Sequence, residues 1–375
     1  MCDGDRELLV DLPAMKRNLD RLRSRLPIGS PVIAMVKSHG YGTDAKEICR
    51  YLKTVGVNRF GLAYLDEALT LRQEGVDGSL FLTYVRPEEA SEVVKHHLEA
   101  TIQTVELIEA FDKVKHQITI PVPVHLNLNT GMNRFGCIPK EGLKLARMIA
   151  ERPYLKLEGV MTHFAASEDP KEDRFTIRQA ENLQRAVELF RSEGIHPRYV
   201  HAANSAGVMR FHFPHFTMAR IGIALFGIHP SDESQQCCPL EPVITLRSKL
   251  VRIFNCRRGD TVSYGRRYTV QKENERIGVV PLGYADGILR RVEGEWYVLV
   301  HGKHAAIRGS VCMDYFMIDL TDIPEAKVGD QVIVYGADGT GEVIYPEKIA
   351  KQGGAIPHEM VVTLGRRIKK IFIGK

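Results

Sequence analysis

A lone lysine closes an apolar run. In PVIAMVKSHGYG, residues 31–42, Val32–Val36 has the pattern of a fully buried parallel strand, and Lys37 stands at its carboxyl end. Gly40 and Gly42 open the turn that follows, with Tyr41 between them, and Asp44 starts a helix. An ammonium where a buried strand ends costs free energy unless it is neutral, paired or covalently used. Two readings stay open for this stretch. Lys37 either leaves the strand end for water, or is an amine whose pKa burial lowers until its lone pair attacks an aldehyde.

Other polar residues recur where apolar runs end. Arg134 lies in the glycine-bracketed LNLNTGMNRFG; Thr162-His163, His201-Ala-Ala-Asn204-Ser205 and Arg220-Ile-Gly222-Ile223 each close a further run. Singly, each has an ordinary explanation: Asn204 and Ser205 can cap a helix, and His163 can be a satisfied core histidine. Their joint occurrence at strand ends favours a site. Ser205 and the Gly222–Ile223 backbone suit a phosphate, with N–H groups as donors, and Lys37 lies across the mouth from them. A cofactor carrying both an aldehyde and a phosphate would span that gap, and pyridoxal 5'-phosphate is the candidate.

The elements that must position these groups alternate. Strand candidates fall near 32–36, 59–64, 79–83, 99–102, 122–128, 155–161, 198–202 and 217–221, mostly separated by amphipathic helices. Ile48, Leu52 and Val55 mark one helix; Leu183, Val187 and Phe190 mark another. Eight strands alternating with helices predict an α/β fold, a closed (β/α)8 TIM-like barrel. An open doubly wound sheet is the alternative, but no G-x-G-x-x-G follows the first strand. Past Pro239 the rhythm changes to short β runs, 243–246, 276–280, 297–300 and 331–335, with a helix at Pro346–Gln352. The expected domains are a barrel over 9–232 and a C-terminal mainly β domain over 233–375 that also takes strand 1–8. SDESQQCC is the expected connection.

In that β domain three motifs exceed structural need: Thr261-Val-Ser-Tyr264-Gly265, Gly283-Tyr284-Ala-Asp286-Gly287 and Gly309-Ser-Val-Cys312-Met313-Asp314. For each tyrosine, simple packing with a surface hydroxyl is the competing explanation.

Composition narrows the class. At 375 residues, 44% hydrophobic and 26% charged, the chain has the make-up of a globular protein with a well-buried core. A net charge of +5 without any long basic run argues against a nucleic-acid surface. No apolar stretch reaches membrane-span length, and MCDGDRELLV is acidic where a signal peptide is basic, so the expected location is the cytoplasm, off the membrane. Seven cysteines, Cys2 among them and Cys237-Cys238 adjacent, show no C-x-x-C spacing. Neither disulfides nor a metal site is expected; His212 and His215 read as loop histidines.

At VIAMVKSHGYG, LNTGMNRFG, MTHFA, HAANSAG, ARIGIALFG, VSYG, GYADG and VCMD the chain resembles the alanine racemase family, in order and over nearly its whole length. The resemblance implies a barrel plus β domain working as a head-to-tail homodimer whose active site is shared between subunits. It implies that Lys37 binds the cofactor and acts as base on one face of the substrate, and that Tyr264, from the other subunit, is the base on the opposite face. Arg134 would approach the cofactor's phenolic oxygen and the substrate carboxylate. Tyr41, Ser205, Gly222 and Ile223, beside Asn204, would cradle the phosphate. Arg220 would face the pyridine nitrogen, with His163 between it and the tyrosine. Met313, Asp314 and Tyr284 would meet the substrate. Racemisation itself requires two opposed bases, since a proton leaves one face and returns to the other.

Three positions depart from the family pattern. Asn127 stands where many members carry a carbamylated lysine, which leaves room for an anion such as chloride beside Arg134. Arg366 replaces a tyrosine at the substrate entrance, and Ser310 replaces an arginine. Alanine is the expected substrate. Serine or broader racemisation, a non-catalytic cofactor-holding protein and a fold-related decarboxylase are the alternatives; the decarboxylase would want a carboxylate where Arg220 stands.

Overall fold

The computed structural model describes residues 5–292 and 296–375; Cys2 and the first residues of the acidic start lie outside them. Strand β1 (Arg6–Asp11) comes first, followed by a helix at Leu12–Arg23. Eight parallel strands then follow: β2 (Val32–Met35), β3 (Arg59–Leu62), β4 (Ser79–Leu82), β5 (Glu99–Ile102), β6 (Val122–Asn127), β7 (Leu155–Met161), β8 (Tyr199–His201) and β9 (Ala219–Ile221). Their spatial order is β8-β7-β6-β5-β4-β3-β2-β9. Thr217 N–H bonds to Val200 O at 2.9 Å and Arg220 N–H to Ala203 O at 3.0 Å, drawing the two end strands into a nearly closed barrel. The expected parallel barrel is therefore present.

The apolar run predicted to be a buried strand is one: Val32 to Val36 are all buried. Apolar residues at helical spacing likewise face inward, Ile48, Cys49 and Leu52 on Ala45–Thr54, and Leu183, Val187 and Phe190 on Asp173–Ser192. Asp44 caps the first of these, its carboxylate accepting from Glu47 N–H at 3.1 Å.

The remaining strands are antiparallel except at one edge. They are β10 (Ile244–Lys249), β11 (Arg252–Cys256), β12 (Thr261–Val262), β13 (Tyr268–Thr269), β14 (Glu275–Val280), β15 (Tyr297–Val300), β16 (Lys303–Ala306), β17 (Phe316–Asp319), β18 (Gln331–Ala337), β19 (Val343–Ile344) and β20 (Lys369–Ile373). One sheet runs β16-β15-β18-β10-β1-β20, so the first strand of the chain joins the C-terminal set. A second runs β11-β14-β17. By contact the chain forms two compact units: Asn18–Leu225 with Pro230–Pro239, and Met1–Arg17 with Phe226–His229 and Leu240–Lys375. SDESQQCC, the expected connection, falls within Pro230–Pro239 of the first unit. Ser231 caps a short helix over Asp232–Cys237, because its hydroxyl satisfies the Ser234 N–H. No helix among the described residues is long and apolar enough to cross a membrane.

Candidate active site

The chain after β2 does not simply turn on its two glycines. Ser38, His39, Gly40 and Tyr41 all take φ between 54° and 66°, one turn of left-handed helix, closed by Gly40 N–H to Val36 O (2.8 Å) and Gly42 N–H to Ser38 O (2.9 Å). Such a conformation costs about 1–2 kcal/mol for each residue with a side chain, so the surroundings must impose it. Glu67 is one constraint. Its carboxylate accepts from Ser38 N–H at 2.6 Å and from Ala63 N–H at 2.7 Å, tying the turn to the end of β3. Its position at a helix start was the only sequence signal for that role.

The turn leaves Lys37 half-buried and Tyr41 buried. Burial, with the charge of Arg134, lowers the Lys37 ammonium pKa below its ordinary 10.5, against the pull of Glu67. Burial raises Tyr41, which therefore keeps its proton and is a donor. Its hydroxyl lies against Gly222, where any Cβ would collide with it. Ser205 begins the helix Ser205–Arg210, and its hydroxyl oxygen accepts from Gly222 N–H at 3.1 Å and Ala224 N–H at 3.4 Å. Ile223, buried, opens the short 3-10 turn Ile223–Phe226. Asn204 caps the Ser205 helix, its side-chain oxygen accepting from Gly207 N–H and from the Ser167 hydroxyl, both at 2.9 Å. The Tyr41 and Ser205 hydroxyls thus meet at Gly222, a position with no room for a side chain.

Arg220 is almost wholly buried. Its Nη1 donates to His201 Nδ1 at 2.7 Å; its Nη2 donates to Thr162 O at 2.7 Å and His163 Nδ1 at 3.0 Å. Burial, then Arg134, lowers its pKa to about 10, which leaves it cationic at neutral pH. Burial and the Arg220 charge hold His163 and His201 well below 6.5, so both are neutral. Arg134 is exposed, yet its charge acts on Lys37, His163 and Arg220 together. Its loop is braced by Asn129, whose oxygen accepts from Gly131 and Asn133 N–H at 3.1 and 3.0 Å. Asn127, buried at the end of β6, uses its carbonyl to accept from Cys137 N–H at 3.1 Å.

The three β-unit motifs also converge. Tyr284 N–H bonds to Cys312 O and Ala285 N–H to Met313 O, each at 3.0 Å, while Ser310 Oγ donates to Tyr264 O at 3.1 Å. Ser263, at φ 68°, donates its hydroxyl to Ser310 O at 2.6 Å. Tyr264, Tyr284 and Met313 are 71%, 44% and 53% exposed, an unusual concentration of large side chains left in solvent. Asp286 is buried and grips Arg367 through two 3.0 Å bonds, and Arg367 reaches Asp314 at 2.6 Å. Arg366 is exposed beside it. Nothing local in the sequence marks Arg367, whose partners lie 53 and 81 residues away.

Fold and rim define a class: parallel barrels with a half-buried lysine and a cluster of hydroxyls around a glycine at the carboxyl ends of the strands, followed by a β unit. The model of the alanine racemase N-terminal domain matches residues 10–230, and that of the C-terminal domain residues 243–372. The alanine racemase of Geobacter sulfurreducens is 34% identical over 97% of this chain and 96% of its own length. That of Geobacillus kaustophilus is 37% identical over 97% and 93%. The alanine racemase structure from Streptomyces lavendulae superposes with a TM-score of 0.90 at 29% identity, covering 100% of this chain and 98% of that one. The chain belongs to the alanine racemase family.

Proposed function

We propose that the protein interconverts L- and D-alanine with pyridoxal 5'-phosphate, using two opposed bases. The observation that carries this is the pairing, on one barrel rim, of a depressed amine at Lys37 with the Tyr41–Ser205–Gly222 cradle, within a family match to both domains. Lys37 would hold the aldehyde carbon; Tyr41, Ser205, Gly222 and Ile223 the phosphate; Arg220 the ring nitrogen; Arg134 the phenolic oxygen and the substrate carboxylate. Asn204 supports Ser205 by capping its helix. When bound, the cofactor supplies a sink for the charge left on the α-carbon.

The chain's own residues must move the proton. Lys37, lowered by burial, is the base on one face. The partner subunit's Tyr264 is the base on the other, which accounts for a phenol 71% exposed in the single chain. His163 accepts from Arg220 at Nδ1, so its remaining proton sits on Nε2, ready to donate to a phenol oxygen. Met313, Asp314 and Tyr284 would meet the substrate, with Asp314 set by Arg367. Arg220, which cannot readily give up a proton, would offer the ring nitrogen a hydrogen bond without protonating it, so the sink would be weaker and simple proton exchange favoured. A chloride between Asn127 and Arg134 would serve where a carbamate is impossible. The working unit is a homodimer in the cytoplasm.

The deciding experiment reconstitutes the full-length protein with pyridoxal 5'-phosphate and incubates it with L-alanine, L-serine and larger L-amino acids in deuterated water. Alanine should gain α-deuterium and lose optical rotation fastest. Borohydride should fix the cofactor on Lys37 by peptide mass. Exchange without racemisation, serine ahead of alanine, or label on another lysine would overturn the reading.

A further inference from the structure

A continuous chain of buried side chains leads away from Arg220 across the barrel interior. Arg220 Nη1 reaches His201 Nδ1 at 2.7 Å; His201 Nε2 meets His125 Nδ1 at 2.9 Å; His125 Nε2 meets Glu99 Oε2 at 2.9 Å. His125, His201, Glu99 and Arg220 are all at most 5% exposed. The members come from β9, β8, β6 and the first residue of β5.

Only one proton arrangement fits. Arginine can only donate, so His201 Nδ1 is bare and its single proton is on Nε2. His125 Nδ1 must then accept, which places the His125 proton on Nε2, pointing at the Glu99 carboxylate. Every donor faces an acceptor in the same direction, from guanidinium to carboxylate. Burial pushes the Glu99 carboxyl up, but the His125 bond, the Arg59 charge and the Ser79 hydroxyl outweigh it and keep it ionised. Arg59 Nη1 binds Glu99 at 2.6 Å and its Nη2 binds Glu158 at 3.0 Å, closing the outer end.

The barrel makes room for this chain. A Cβ on Gly159 of β7 would collide with His125 Nδ1 and sit 3.1 Å from His201 Nε2. Gly159 is not in a left-handed conformation, so nothing in the backbone requires glycine there. Its missing side chain is the slot in which the two rings meet. Phe81 packs edge-on against both rings, at centroid distances of 4.8 and 6.2 Å, and excludes other partners.

We propose that Glu99 is a positioning residue for Arg220, acting as the terminal acceptor that keeps His125 and His201 in the one proton arrangement that fits beneath the guanidinium. This rests on the reading of Arg220 as the group facing the cofactor's ring nitrogen. Glu99 touches neither substrate nor cofactor. Its influence is transmitted because each buried ring nitrogen bonds to the next member of the chain, although Arg220 Nη1 also donates to His201 O at 3.2 Å.

Glu99→Gln keeps the shape but offers His125 an amide that can donate as well as accept. In full-length protein labelled with 15N-histidine, the native protein should show His125 and His201 as Nε2–H tautomers, and E99Q should lose that uniformity. In the reconstituted enzyme, E99Q should lower kcat roughly tenfold with KM little changed and move the absorbance band of the bound cofactor. Gly159→Ala, which wedges the rings apart and leaves Glu99 untouched, should do the same and serves if E99Q does not fold. Folded E99Q or G159A with native tautomers, band and kcat would overturn the proposal. A native protein without any cofactor band would sink the cofactor reading instead, while the histidine spectra would still report whether Glu99 sets the chain.

Discussion

Nη2 of Arg220 donates to Nδ1 of His163 across 3.0 Å. Because arginine has no acceptor, this bond decides which His163 nitrogen keeps its proton and turns Nε2–H away from the guanidinium. Burial and the neighbouring positive charge keep the ring neutral. A phenol arriving at Nε2 therefore meets a directed donor and, behind it, a buried cation.

Tyr264→Phe should separate the two bases. Racemisation should fall by roughly 10²–10⁴-fold, the usual contribution of a positioned acid–base group. The enantiomer whose α-proton faces Lys37 should still exchange with deuterated water. Equal residual exchange of D- and L-alanine would contradict the division of labour.

Arg220→Glu should change the kind of chemistry. A carboxylate can share a proton with a ring nitrogen, strengthening the electron sink, so the ratio of transamination to racemisation should rise, read as pyruvate formed per turnover. Arg220→Lys, which keeps a cation, should not raise it. An unchanged ratio in a folded Arg220→Glu protein would remove the role given to the guanidinium.

Gly222→Ala tests the cradle by volume alone, since Gly222 does not adopt a left-handed conformation. The added methyl collides with the Tyr41 hydroxyl and ring. Forcing a group into a packed site typically costs about 1–3 kcal/mol. Affinity for pyridoxal 5'-phosphate, titrated by absorbance, should fall at least tenfold, and native affinity would move the phosphate site elsewhere.

Acid should destabilise the fold through its buried histidines. His163 and His201 titrate well below 6.5 when folded and at their ordinary value when unfolded. Below pH 6.5 the unfolded chain therefore binds more protons, and stability falls as pH falls, until the folded histidines titrate in their turn. Each histidine contributes up to about 1.4 kcal/mol per pH unit over that window. The melting temperature should drop between pH 6.5 and 5, and His201→Asn should flatten the slope; a flat native profile would be inconsistent with neutral buried rings.

Arg367→Ala should act on the β unit. It leaves the fully buried Asp286 carboxylate with the Gly283 N–H but without a countercharge, and frees Asp314. Breaking a buried ion pair costs roughly 3–5 kcal/mol, and about 2 is expected here because Arg367 is 40% exposed. KM for alanine should rise as the Asp314 turn loosens. Unaltered stability and KM would show the pair to be incidental.

Periodicity alone carried the frame. The apolar run Val32–Val36, the eight barrel strands and the helix at Pro346–Gln352 were legible because burial on both faces of a parallel strand and on one face of a helix leaves distinct apolar patterns. The residues at strand ends were legible for the same reason: a polar group after an apolar run announces itself. Short β-unit strands such as β12, β13 and β20 were not, since pairs of two to five residues carry too little pattern to register.

Tertiary structure decided what those residues do to one another. Sequence made Lys37 an amine at a strand end, but its lowered pKa comes from burial and from Arg134, 97 positions on. The left-handed turn at Ser38–Tyr41 and its tether to Glu67 follow from packing, not from the residue types of Ser38, His39 and Tyr41, which disfavour it. Likewise Glu99, His125, His201 and Arg220 are unremarkable singly. Barrel closure brings them into one line of hydrogen bonds, because only in a dry interior must every donor find its acceptor.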